Sequence, residues 1–245
     1  MSIFILNSFT NTPFTGNPAA VCLVDKFLTD AQMQNIASEI NYSETAFVDL
    51  NRKESNGKYS LRWFTPTSEI DLCGHATLAT AQILNEFQID LNPKIVFETR
   101  SGDLETQIVG SKIKMNFPSI IVEKSLGNTI IDSFVHSNTN HVYINQTWCL
   151  IELENEIDVI NLQPKFDLLL SLEQKAFIVT AKSNRENIDF VSRCFAPKLG
   201  INEDPVTGSA HCVLAEFWGN KLHKKSMMGY QVSKRTGLVE CELIG

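Results

Sequence analysis

The sequence predicts an α+β protein built as two homologous lobes, each a curled sheet wrapped around one buried helix. Three observations lead there. The chain repeats itself: Ala46-Phe-Val48 recurs as Ala176-Phe-Ile178, Arg62-Trp-Phe-Thr-Pro66 as Arg193-Cys-Phe-Ala-Pro197, Gly74 as Gly208, and Arg100-Ser-Gly-Asp-Leu-Glu105 as Arg235-Thr-Gly-Leu-Val-Glu240. The offset grows from 130 to 135 residues without reversing, as a diverged tandem duplication with small insertions should behave. Short alternating apolar runs, the mark of strands, fill both halves. One long run per half is apolar around its whole circumference, which only a helix enclosed by its own lobe can be.

In order, the alternating runs place strands at Ser2–Asn7, Ala20–Val24, Thr45–Leu50, Tyr59–Phe64 and Ile95–Thr99. A helix over Asp30–Ile40 has Thr29 as its N-cap and a polar outer face. The first enclosed helix covers Gly74–Phe87, and Ile113–Phe117 reads as the return strand of a hairpin. In the second half, strands are expected at His141–Asn145, Trp148–Leu153, Ala176–Thr180 and Gln231–Lys234. A short helix follows Pro164 with Leu168, Leu169, Leu170 and Leu172 inside, and the second enclosed helix covers Gly208–Leu222. The lobes are drawn as residues 1–118 and 119–245, with the boundary near Pro118–Asn128 and no Gly/Ser linker. After Glu240, the equivalent of Glu105, no counterpart of the hairpin's return strand is seen, so an open sheet edge is expected in the second lobe.

Composition narrows the function classes. With 245 residues, 43% of them apolar, the chain can bury a substantial core. A net charge of −7 makes a poor surface for nucleic acid, which needs clustered Lys and Arg. The longest purely apolar run, Ala19–Val24, has six residues against the roughly 20 that span a bilayer. The N-terminus shows no basic region or cleavage site of a secretory signal. Six scattered cysteines without a C-x-x-C read as reduced thiols of a cytoplasmic protein.

Chemistry gathers at the two helix starts. A helix opening on a glycine offers unpaired N–H groups to an anion, but the glycine can equally serve tight helix–strand packing. Beside Gly74 stand Cys73 and His75; beside Gly208 stand Glu203, Asp204, Thr207 and Ser209. Nucleotide-binding and zinc-protease motifs are absent, and His136 and His141 lack a third ligand nearby, so no metal site is expected. His223 reads as part of a basic helix end, and Cys212, one turn into its helix, as a core residue.

Thr15-Gly-Asn-Pro-Ala-Ala20, Ser43-Glu-Thr-Ala-Phe47, Cys73-Gly-His-Ala-Thr77, Glu203-Asp-Pro-Val-Thr-Gly-Ser-Ala210 and Gln231-Val-Ser-Lys-Arg-Thr-Gly237 together resemble the PhzF-like isomerase family of phenazine biosynthesis. The resemblance runs through the whole chain in order. It implies the diaminopimelate-epimerase-like fold, two pseudo-symmetric lobes of mostly antiparallel sheet around a central helix. It also implies cofactor-free proton transfer, a 1,3-hydrogen shift, on a small carboxylate-bearing metabolite held between the lobes. Glu44 is then the proton carrier, with His75 and Asp204 as auxiliary polar groups. Gly74, Gly208 and Ser209 would be substrate donors, with Cys73 also against the substrate and Asn17 a further pocket residue, although Gly-Asn-Pro also marks turns. Burial of Glu44 would raise its pKa and suit it to accept a proton from carbon. By the repeat its counterpart is Gln174, which cannot do so.

Related racemases on this fold carry two facing cysteines, one before a glycine as Cys73 is; here Asp204 stands where the second would be. A two-base amino-acid racemase or epimerase using Cys73 and Asp204 is therefore the alternative activity. Free Cys is also commonly a small buried hydrophobe. A non-catalytic binding protein on the same fold is the alternative outside enzymology. Dimers occur among the proteins it resembles, so a homodimer is one expectation.

Overall fold

The computed structural model describes residues 1–51, 57–125 and 139–244, with the side chains of residues 139 and 140 excepted. His136 and residues 126–128 of the expected lobe boundary lie outside the described residues. The chain divides into two compact units, one of Met1–Ser8 with Pro18–Phe117, the other of Phe9–Asn17 with Pro118–Gly245.

The first unit contains β1 (Ser2–Ser8), β2 (Asn17–Val24, of which the first residue belongs to the second unit), α1 (Asp30–Ile40), β3 (Glu44–Asp49), β4 (Tyr59–Phe64), β5 (Glu69–Ile70), α2 (Gly74–Glu86), β6 (Lys94–Thr99), β7 (Gly102–Val109) and β8 (Lys112–Met115). Its sheet has the order β1-β2-β3-β4-β6-β7-β8, with β5 pairing β4. The β2–β3 and β4–β6 pairs are parallel; β3–β4, β6–β7 and β7–β8 are antiparallel. One face of the sheet closes on α2 through Val21, Val48, Leu61, Trp63, Ala76, Ala79, Ile83 and Phe97. The other is covered by α1, where Met33 and Ala37 meet Cys22, Phe47 and Phe64. With helices on both faces, β3 is buried along its whole length. α2 tolerates enclosure because it is rich in Ala and because Thr77 and Thr80 donate their hydroxyls to the carbonyls of Cys73 and Ala76, at 2.6 and 2.8 Å. Thr29 caps α1 in a reciprocal capping box with Gln32, as expected of a Thr three residues before a Gln.

The second unit contains β9 (Glu123–Lys124), β10 (Thr139–Ile144), β11 (Trp148–Leu153), α3 (Glu156–Asn161), α4 (Phe166–Ser171), β12 (Ala176–Lys182), β13 (Phe190–Ala196), β14 (Ile201–Asp204), α5 (Gly208–Leu222), β15 (Ser226–Gln231) and β16 (Gly237–Glu242). Its order, β16-β15-β13-β12-β11-β10-β9 with β14 on β13, repeats the first sheet strand for strand from β10 to β16. The parallel pairs fall at the same places, β11–β12 and β13–β15. α5 fills the inside against Trp148, Ile178, Phe190, Val213, Leu214, Trp218 and Met227. Val159 of α3 and Leu169 of α4 cover the outside. The duplication extends to an ion pair: Arg62 grips Glu69 with two nitrogens, both at 2.7 Å, and Arg193 grips Glu203 in the same way at 2.7 and 2.9 Å.

Three expectations are corrected. Residues 9–17 belong with the second unit rather than with the first lobe: the Leu238 amide donates to the Phe9 carbonyl and the Gly16 amide to the Thr236 carbonyl, while the Arg235 guanidinium binds the carbonyls of Thr15 and Gly16. The strand drawn over Gln231–Lys234 lies earlier, at Ser226–Gln231. In α4 only Leu169 is buried; Leu168 and Leu170 are exposed, since a helix of under two turns can turn one face inward. Among the described residues β16 is an edge of its sheet, and the second unit gains β9 at the opposite edge, which the first sheet lacks.

Candidate active site

Glu44 opens β3, paired with Ala19 of β2, so its side chain leaves the sheet at the strand's N-terminal end. α2 begins thirty residues later in the chain, and its first turn brings His75 back to that strand end. The His75 Nε2 lies 3.3 Å from Glu44 Oε2, and its Nδ1 lies 3.5 Å from the Cys73 thiol. Carboxyl, imidazole and thiol thus form a row, retaining 9%, 7% and 6% exposure. Two hydroxyls fix the backbone beneath it: Ser8 donates to the His75 carbonyl at 2.7 Å, and Thr77 to that of Cys73. Burial pushes the Glu44 carboxyl above the usual carboxylate range, and a hydrogen bond with Ser43 opposes this only in part. A buried, protonatable carboxyl touching an imidazole is an arrangement built to hold or release a proton.

The second unit has its own polar cluster. Asp204 ends β14, and its two carboxylate oxygens are both engaged, one by Asn17 Nδ2 at 2.9 Å and the other by the Thr207 hydroxyl at 2.5 Å. Asn17 is fully buried and donates also to the Val206 carbonyl at 2.9 Å, so it holds the turn into α5. Gln231 completes the brace, donating to the Asp204 carbonyl at 2.7 Å and accepting from the Thr207 amide at 2.9 Å. Ser209, the second residue of α5, is exposed.

The two glycines find a packing role. A Cβ on Gly74 would meet the ring of Phe117 at 3.3 Å, and one on Gly208 the ring of Phe9 at the same distance. In each unit a phenyl ring lies over the helix start, close enough that only glycine leaves it undisturbed. Gln174, the counterpart of Glu44, is buried two residues before β12.

Sequence reasoning did not reach Thr207 and Gln231 as partners of Asp204, nor His211. The last is fully buried on α5 with Nδ1 2.8 Å from the Thr207 carbonyl, and burial lowers its pKa from 6.5 to about 4. A His one turn after Thr207 on an apolar helix was the available signal. Cys212 proves half-buried, its thiol toward the Gly208 carbonyl, rather than a core residue. His141 is exposed, and His223 caps the end of α5 in the left-handed conformation. An open groove lined by Ile120, Val122, Tyr143, Val213 and Phe217 contains none of the expected site residues.

The sequence profile of the phenazine biosynthesis-like proteins, PhzC–PhzF, matches residues 6–244. The chain belongs to that family. It is 45% identical to a protein of Halalkalibacterium halodurans named an uncharacterised isomerase, over 98% of this chain and 90% of the relative. The human phenazine biosynthesis-like domain-containing protein is 37% identical over 97% of this chain and 90% of its own. Among solved structures, a PhzF-family protein of Enterococcus faecalis superposes with a TM-score of 0.92 at 39% identity, covering 99% of this chain and 91% of that one. A hydroxyproline epimerase of Agrobacterium vitis, at 7% identity and a TM-score of 0.51, shares the fold alone. The expected epimerase-like fold is thereby shown, and the chain is an isomerase of the PhzF-like family. No helix among the described residues is long and apolar enough to cross a membrane.

Proposed function

We propose that this isomerase moves a proton between two carbon atoms of a small, carboxylate-bearing metabolite, with Glu44 as the carrier and His75 as its partner. The observation that carries the reading is the buried Glu44–His75 pair at 3.3 Å. As the carboxylate, Glu44 accepts the hydrogen of an acidified C–H; the electrons left behind delocalise into the substrate's neighbouring unsaturated group. As the carboxylic acid, it returns the proton to the far carbon of the delocalised system, on the same face. A raised pKa serves both halves, because it makes the carboxylate a stronger base while keeping the acid able to donate. The imidazole beside it can offer an N–H to the carboxylate or a lone pair to the acid, and so serves both protonation states.

The two-base racemase is less well supported. It asks Asp204 to take or give a proton, yet both its oxygens already accept hydrogen bonds from Asn17 and Thr207. The test is Glu44→Gln, followed by proton magnetic resonance in deuterated water with a panel of small unsaturated carboxylic acids. Isomerisation should fall by about 10²–10⁴-fold, the usual contribution of general acid–base catalysis. Turnover within tenfold of wild type assigns the chemistry elsewhere. Survival in Glu44→Gln with loss in Cys73→Ser would favour the racemase.

A further inference from the structure

Glu44, Cys73 and His75 have a second competence. Each offers one ligand atom, all within 4.8 Å of one another, and all three residues are buried. Carboxylate, thiolate and imidazole are the donor types that bind zinc, and three protein ligands with a fourth position open is the pattern of an accessible zinc site. Around a tetrahedral ion, bonds of about 2.0–2.3 Å set ligand atoms roughly 3.3–3.6 Å apart. The Glu44 Oε2 to His75 Nε2 distance, 3.3 Å, already has that value. The thiol is the ligand that must move, since it now lies against Nδ1 rather than Nε2. Rotation about one side-chain bond of Cys73 is enough for an adjustment of about an ångström, because its backbone is held independently by Thr77.

Charge favours the ion as well. Glu44 Oε2 is buried and faces the His75 Nε2 at 3.3 Å, and no hydrogen bond to it among the described residues competes with an ion for that oxygen. Two deprotonated acids, a neutral imidazole and a divalent cation sum to zero, which removes the penalty that burial places on the acids singly. The N-terminus of α2 opposes a cation, but it also favours the thiolate form that ligation requires.

We infer that the Glu44–Cys73–His75 cluster binds one zinc-class divalent cation, and that this ion is an inhibitor because it occupies the lone pair with which Glu44 takes its proton. The inhibitory part rests on the proposed role of Glu44; the binding part does not, and the two are read separately.

The experiment titrates the full chain, reduced and freed of metal by a chelator, with Co²⁺ as the probe. One equivalent should bind and produce thiolate-to-metal charge-transfer absorption, which Zn²⁺ then displaces. Cys73→Ser should abolish that absorption, Cys212→Ser should retain it, and His75→Gln should weaken binding by at least about tenfold. No charge-transfer absorption in the wild type, or undiminished absorption in Cys73→Ser, overturns the site. Circular dichroism of each variant shows that it is folded; should Cys73→Ser fail this check, His75→Gln alone decides, with unchanged affinity refuting the assignment. Zn²⁺ should suppress the isomerisation of the wild type and a chelator restore it. Binding without suppression removes the inhibitory role, whereas loss of turnover in metal-free Glu44→Gln bears on the proton carrier alone.

Discussion

His211 makes the stability of the second unit depend on pH in a way that can be worked from its surroundings. The imidazole is fully enclosed between the ring of Phe190, 5.9 Å away between centroids, and the backbone at Gly229, with Nδ1 committed to the Thr207 carbonyl. A proton on Nε2 would put a charge where nothing solvates it, and the folded-state pKa drops from 6.5 to about 4. The unfolded chain binds that proton readily, so the contribution is complete above pH 6.5, declines as pH falls, and is gone below about pH 4. A drop from 6.5 to about 4 corresponds to about 3 kcal/mol across the window. The assay is denaturant unfolding from pH 7.5 to pH 4 in a Trp63→Phe background, where fluorescence reports only Trp148 and Trp218 of the second unit. His211→Gln keeps an amide donor for Thr207 but cannot titrate. The difference between the two proteins should shrink by about 3 kcal/mol over that range. Equal slopes for both would refute the reasoning, because the remaining carboxylates are common to them.

Two further outcomes follow from packing and hydrogen bonding. Gly229→Ala would drive a methyl to within 2.6 Å of the Phe190 ring, and the resulting overpacking should cost about 1–3 kcal/mol in urea unfolding; Gly74→Ala, facing only the tip of Phe117 at 3.3 Å, should cost clearly less. Asn17→Ala deprives Asp204 and the Val206 carbonyl of one buried donor, so a loss of about 1–3 kcal/mol is expected, and a neutral result would show that water replaces the amide.

The enclosed helices were the most legible elements. An amphipathic helix needs its period counted, but α2 and α5 are apolar all round and both start at a glycine, so α5 has the expected bounds and α2 differs by one residue. β4 and β11 also fall at the expected positions. β13 did not stand out, because Phe190–Ala196 carries Arg193 in a fully buried strand, and an arginine argues against burial until its pairing with Glu203 is seen. The repeated Arg-x-Phe-x-Pro word held the missing signal, since its first copy is a strand. β15 was displaced by Gly229, a strand breaker by propensity that the Phe190 ring requires. At the site, Glu44, Cys73 and His75 were reachable because each sits in a distinctive short word. The braces around Asp204 were not: Thr207 is three residues away, but Gln231 comes from another strand and Asn17 from 187 residues upstream. Local spacing carries no trace of such partners.

The loan of residues 9–17 to the second unit bears on how this chain can be made and divided. Arg235 holds the carbonyl of Thr15 across 220 positions of sequence. On the ribosome, residues 9–17 emerge long before their neighbours exist, so the second unit stays unfinished until Arg235, Thr236 and Leu238 have been made. A single cut, wherever it is placed, orphans one piece or the other. Isolating the second unit as an independent fold calls for grafting nine early residues onto it, and no simple truncation will supply them.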